Sequence, residues 1–113
     1  MRYSVEITRA AERDLNGTAD YIDLVLLNPK AAVDLLDAVD KTVQSIQDFP
    51  ETCPLADDPV LKSWGIRFAA IKNYLLFYAV SEEKHCVYLV RFLYGRRDWV
   101  TILRASVPPQ ETR

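Results

Sequence analysis

Six apolar residues, Ala32, Leu35, Leu36, Val39, Val43 and Ile46, recur at helical spacing, while Asp34, Asp37, Lys41, Gln44 and Gln47 occupy the other side of the same segment. A helix patterned this way has to bury its apolar stripe against another element. The chain supplies that element further on. Residues 66–71, 74–80 and 86–94 are three short runs rich in β-branched and aromatic side chains, and each reads as a strand. Lys72-Asn73 is a tight turn between the first two, and residues 81–85 link the second pair. A one-sided helix followed by three hairpin-linked strands predicts helices layered on a sheet.

The upstream residues complete the pattern. Residues 3–7 alternate and read as a first strand, with Thr8 as N-cap of a helix over 9–26 whose apolar positions are Ala11, Leu15, Ala19, Ile22 and Leu26. Asn28-Pro29 closes that helix and opens the next, Asn as N-cap and Pro at the first helical position. Two helices separated by so short a break form an antiparallel hairpin. Pro50, Pro54, Pro59 and Asp57-Asp58 make residues 49–59 a loop. Gly95 ends the last strand, residues 96–104 form a short closing helix, and 105–113 are a frayed tail. At 113 residues the chain suits one domain, 1–113. The fold class is α+β: a β-α-α-β-β-β order, with an antiparallel sheet of about four strands and the helix hairpin on one face.

Turn pairing sorts the strand residues. Ile71 opposite Tyr74 sets Arg67 opposite Tyr78, and Val80 opposite Cys86 sets Tyr78 opposite Tyr88. One face then carries Arg67, Ala69, Tyr74, Leu76, Tyr78, Tyr88, Val90, Phe92 and Tyr94. The other carries Ile66, Phe68, Leu75, Phe77, Val87, Leu89, Arg91 and Leu93. The second set is more apolar and is expected against the helices, leaving the tyrosines on a wetter surface. A one-residue slip would undo this sorting. Arg91 is expected at the rim of the core, paired with an acid such as Asp98.

Charge is unevenly spread. Residues 1–60 hold five basic and twelve acidic side chains, against nine and four in residues 61–113. Any anion-facing surface is therefore expected in the second half. Cys53 and Cys86 lack metal-ligand or disulfide spacing, and His85 reads as a solvated turn residue; neither a metal nor a cofactor is expected. The N-terminus lacks a signal-peptide pattern and no apolar run is long enough to span a bilayer, so the expected compartment is the cytoplasm, away from membranes.

The segment Val90-Arg91-Phe92-Leu93-Tyr94-Gly95-Arg96-Arg97-Asp98-Trp99, with the apolar residues that follow it, resembles the closing motif of the RelE/ParE toxin superfamily. There a last strand runs into a basic turn of the form R-[VIF]-L-H-G-R-R-D, and Tyr94 stands here at the usual histidine place. The run from Asn73 to Val80 is similar to the family's central strand, and the element order is the family's order. The resemblance implies the toxin of a type II toxin–antitoxin system, associated with plasmid stabilisation and growth inhibition and neutralised by a cognate antitoxin. That antitoxin is expected to cover the sheet edge or the groove beside the helix hairpin.

Two branches of the family imply different chemistry. RelE-like members are metal-independent ribonucleases that cut messenger RNA on the ribosome. ParE-like members lack the catalytic cluster and resemble inhibitors of DNA gyrase. This sequence has Leu75 at the strand position of a phosphate-contacting arginine, and Leu103 near the position of a general-acid tyrosine. Lys62 stands without the usual lysine partner, and Arg96 or Arg97 matches the remaining arginine. The ParE-like branch is therefore favoured, with target- or antitoxin-binding residues Arg67, Tyr78, Tyr88, Tyr94, Arg96, Arg97 and Trp99. The ribonuclease alternative would draw on Arg67, Lys72, Tyr78, Tyr94, Arg96 and Arg97. A third reading is an inactive member that only binds antitoxin.

Overall fold

The computed structural model describes residues 2–106. The elements are β1 (Ser4–Ile7), α1 (Arg9–Asp20), a wide π turn (Tyr21–Val25), α2 (Pro29–Asp48), α3 (Pro59–Ser63), β2 (Arg67–Ile71), β3 (Tyr74–Ser81), β4 (Cys86–Tyr94) and α4 (Trp99–Ser106). The expected caps are in place: Thr8 Oγ1 accepts from the Ala11 amide and Asn28 Oδ1 from the Ala31 amide. Ala105 and Ser106, expected in the frayed tail, belong to α4. The rest of that tail lies outside the described residues. Among the described residues no helix is long and apolar enough to cross a membrane.

The sheet order is β1-β4-β3-β2. The three later strands pair antiparallel, whereas β1 joins β4 in parallel, so the sheet is mixed. The first turn has the expected register, with Ile71 opposite Tyr74 and Arg67 opposite Tyr78. The second register differs. Val80 faces Val87, Ala79 faces Tyr88, Tyr78 faces Leu89 and Phe77 faces Arg91, which leaves Val90 as a bulged residue without an opposite number. Before the bulge Val87 and Leu89 point to the helix hairpin; after it Phe92 does. One extra residue has exchanged odd for even.

The hairpin also covers the opposite face of β2 and β3 from the one expected. Ala69, Tyr74, Leu76, Tyr78, Leu89 and Phe92 pack with Ala11, Leu35, Val39 and Ile46 of the hairpin. The tyrosine-bearing face is therefore the one the hairpin covers. Phe77, Val90 and Leu93 lie in a second core on the opposite side, closed by Ala56, Leu61, Trp64, Trp99 and Leu103. Its lid is α3 with α4. The α3 helix was readable: Asp58-Pro59 repeats the logic of Asn28-Pro29, with Asp58 Oδ2 accepting from the Leu61 amide. The proline-rich surroundings hide it.

Helix α1 satisfies the backbone groups that the bulge orphans. Thr8 Oγ1 donates to Val90 O at 2.9 Å, and Asp14 Oδ2 accepts from the Phe92 amide at 3.0 Å. Asp14 also takes Arg91 in a two-pronged pair, Nε to Oδ2 at 2.6 Å and the second guanidinium nitrogen to Oδ1 at 2.9 Å. The expected partner Asp98 instead caps α4, accepting from Thr101 Oγ1. Asp14 holds Arg91 firmly in its charged form, against the opposing effect of burial.

The hairpin departs from the periodic pattern at its tip. The Leu26 amide donates to Tyr21 O five residues back, and Leu27 takes left-handed backbone with φ 54°. The extra residue in that turn rotates Leu24, Val25 and Leu26 off the buried stripe, and Leu24 and Leu27 are 67% and 79% exposed. Leu36, expected in the core, is 43% exposed, because the contact with the sheet uses only the narrower stripe of Ala32, Leu35, Val39 and Ile46.

Two outcomes test this architecture. Asp14→Ala leaves the Phe92 amide without its acceptor and a mostly buried guanidinium held by Ser106 alone, and should cost about 3 kcal/mol in urea denaturation. Asp58 pairs with Arg104 of α4, Oδ1 to the guanidinium at 2.7 Å, and that bond holds its carboxyl below the ordinary range. A depressed folded-state value means the contribution is complete above the ordinary carboxylate range and is lost as pH falls through the lowered value. Melting temperature followed from neutral pH into acid should fall less steeply for Asp58→Asn than for the unmutated chain.

Candidate functional site

The turn after β4 is built to project side chains. The Gly95 amide donates to Asn73 O at 2.9 Å, so the exit from β4 lies against the β2–β3 turn. A Cβ at Gly95 would sit 3.3 Å from that carbonyl, tighter than a side chain readily accepts. The chain then folds back, with the Arg97 amide donating to Tyr94 O. Arg96 and Arg97 emerge exposed, and neither makes an ion pair among the described residues.

Tyr94 is 41% exposed and meets Tyr74 edge to face, ring centroids 5.7 Å apart, while Tyr74 stacks on Phe92 at 5.1 Å. Tyr74, Phe92, Tyr94 and Arg97 form one wall of an open groove of about 330 Å³. Arg13, Gly17 and Thr18 of α1, with Tyr21 from the π turn, form the other. Tyr21 belongs equally to the exposed hairpin tip, so groove and apolar tip adjoin through one side chain.

The other sequence-selected residues scatter. Tyr78 is fully buried, and its hydroxyl donates to Pro50 O at 2.7 Å. Burial pushes its hydroxyl well above the ordinary phenol range. That side chain has no route to a substrate. Arg67 donates to Cys53 O at 2.6 Å; with Tyr78 it ties the loop after α2 to the sheet. Tyr88 pairs with Ala79 rather than Tyr78, and so lies across the sheet from it. Lys72 is exposed in the β2–β3 turn at φ 56°. Trp99 is half-buried under the turn, its ring 5.3 Å from that of Phe77.

Of the selected residues, then, Tyr94 and Arg97 come together and Arg96 stands beside them. Sequence reasoning missed Arg13, Tyr21 and Tyr74 as groove residues and Leu24–Leu27 as exposed ones. Arg13 carries no distinguishing mark within a charged helix, and Tyr74 and Tyr94 share the expected face, but it is the face the hairpin covers and not an open one. Leu75 and Leu103, which stand at or near positions where RelE-like nucleases carry catalytic side chains, both lie in the second apolar core. Leu103 is fully buried. Lys62 is exposed on α3, next to the buried Leu61 of that core.

Comparison with known proteins agrees with this architecture. The chromosomal ParDE toxin–antitoxin system from P. aeruginosa contains a chain of similar fold: TM-score 0.65, 18% identity, covering 82% of this chain and 96% of that one. The toxin–antitoxin complex RelBE2 from Mycobacterium tuberculosis gives a TM-score of 0.58 at 20% identity, covering 83% and 99%. A double arginine-to-alanine mutant of E. coli toxin RelE in the free state gives 0.64 at 16% identity, covering 93% and 96%. At such identities these establish the fold alone. No curated protein sequence matches significantly. The family model for the ParE toxin of the type II toxin–antitoxin system parDE matches residues 5–99, and the chain therefore belongs to the ParE toxin family within the RelE/ParE superfamily.

Proposed function

We propose that this chain is a growth-inhibiting toxin that acts by binding an essential protein, with DNA gyrase as the target class, and is neutralised by a cognate antitoxin. The observation that carries this reading is the second apolar core. Phosphoryl transfer without metal needs charged donors around the phosphate and a proton donor for the leaving oxygen. Leu75 and Leu103 supply neither, and with Leu93, Phe77 and Trp99 they fill the space with carbon. Arg67 is engaged with a backbone carbonyl and Tyr78 is buried, so the alternative nuclease set is dispersed as well.

A protein partner suits the exposed tip. Leu24, Val25, Leu26, Leu27, Val33 and Leu36 are large, exposed and close in sequence on one hairpin. Contiguous apolar surface of this kind is the usual mark of a protein-binding face. The antitoxin is the partner that family membership supplies, and its docking on this hairpin follows our reading of the tip. With antitoxin co-expressed, amide hydrogen exchange should slow across residues 21–36; unchanged exchange there would remove the tip from the interface.

Activity separates the readings. On translating ribosomes, primer extension should show intact messenger RNA, while gyrase supercoiling should fall as the purified chain is added. Arg96→Ala, exposed and unpaired, should weaken that inhibition roughly tenfold or more without altering melting, since interface arginines often anchor binding. Codon-phased cuts that vanish in Arg96→Ala would overturn the binding reading in favour of a nuclease. Trp99→Ala is expected to differ in kind. It opens the second core and should cost about 3 kcal/mol in denaturation, so its loss of toxicity would track loss of folded protein.

A further inference from the structure

The groove between α1 and the end of the sheet has a composition that neither the hairpin tip nor the second core shares. Its floor and one wall are aromatic, from Tyr74, Phe92 and Tyr94, and Tyr21 closes the other side. Arg13 and Arg97 face into it from opposite walls, and neither has an ion-pair partner among the described residues. Asp14 also lines it, but its two oxygens already accept three hydrogen bonds, two from Arg91 and one from the Phe92 amide. The Asp14 charge is therefore balanced within the fold. The groove is left with two uncommitted guanidinium groups over an apolar floor.

We infer that this groove binds a short acidic peptide segment, seating a carboxylate between Arg13 and Arg97 and a bulky apolar side chain against Tyr74, Tyr94 and Phe92. The chemistry follows from the parts. A guanidinium offers planar, permanently charged donors that match a carboxylate in two-pronged fashion. Aromatic rings give a flat apolar bed for a neighbouring side chain, and phenol hydroxyls at the rim can donate to the same carboxylate. Gly17 opens the α1 wall: a Cβ there would meet nothing within 4 Å, so backbone can approach the helix closely. A volume of about 330 Å³ suits two or three side chains rather than a folded domain.

A nucleic acid is the competing occupant, and charge argues against it. Polyphosphate binding relies on a continuous basic track. The lining holds only two basic side chains, Arg13 and Arg97, and the hairpin that supplies the α1 wall carries Glu12, Asp20, Asp23, Asp34, Asp37 and Asp40 elsewhere. A single carboxylate needs only the two arginines; a phosphate chain needs a basic track beyond them.

The inference rests on the reading that the chain works through protein contacts, and its test can fail separately. The probes are a blocked Glu-Leu-Trp-Glu peptide, its Gln-Leu-Trp-Gln counterpart and a trinucleotide RNA, each titrated into the isotopically labelled full chain. The acidic peptide should bind in the millimolar range and shift the amides of Gly17, Thr18, Tyr94 and Arg97. The neutral peptide should bind at least about tenfold more weakly, reflecting loss of the charge-assisted bonds. The double variant Arg13→Glu with Arg97→Glu, two exposed unpaired positions, should keep the parent's dispersed spectrum and lose the shifts. Equal binding of the neutral peptide, shifts elsewhere, or none by about 10 mM acidic peptide would overturn the groove assignment. With gyrase inhibition intact, the binding-toxin reading would survive that result. Tighter RNA binding at the same amides, together with codon-phased cuts, would bring both down.

Discussion

Arg91 and Asp14 hold the structure at its least regular point. A bulge in a central strand leaves backbone groups unpaired and turns a side chain out of sequence, both unfavourable in a core. Here the first helix answers every need at once: Thr8 takes the Val90 carbonyl, Asp14 takes the Phe92 amide, and the same carboxylate neutralises Arg91. Arg91 reaches on to Ser106, which ties α4 into the same network. Both cores depend on this point, because the bulge decides which residues of β4 each receives. A charged cluster in which every guanidinium nitrogen has a partner is tolerable at such a position; half of one would not be.

The elements were legible in the sequence because caps and periodicity are local. Thr8 and Asn28 mark helix starts through bonds spanning three residues, and each marks one in the structure. The faces of the sheet were not legible. On β4 they turn on one unpaired residue, Val90, and on all three strands they turn on which side the hairpin packs; the backbone beside the bulge bonds Thr8 and Asp14, more than seventy positions away. No local pattern reports such a contact. The same reason took Tyr78 out of the candidate site. A tyrosine on a predicted open face looks available, whereas on the hairpin side it must be buried and find an acceptor, which Pro50 provides. Leu26 and Leu36 fail differently: their spacing fits the stripe, and only the wide turn and the limited width of the sheet contact expose them.

The surface offers two kinds of contact side by side. The hairpin tip is apolar, while the groove next to it is aromatic with two arginines that make no ion pair among the described residues, and Tyr21 joins them. A partner that lays apolar side chains on the tip and an acidic residue into the groove would be recognised by both shape and charge. Charge placed this way discriminates among partners more than it adds affinity. It also suits a superfamily whose branches share one scaffold. On one side of the sheet α3 and α4 seal an apolar core, while the groove and the hairpin tip lie on the other.

The parallel pairing of β1 with β4 has a consequence for how the chain is made. Ser4 must find Cys86, and Ile7 must find Leu89. During synthesis β1 therefore waits for β4 before it can join this sheet, and Asp14 waits almost as long for Arg91. Closing loops of that length is slow compared with forming the helix hairpin, which needs only near neighbours. During synthesis α1 and α2 can assemble early, with their apolar sides uncovered, while the bulge, the aromatic groove and the second core all appear together near the end. No surface that draws on both the first helix and β4 exists before β4 has emerged.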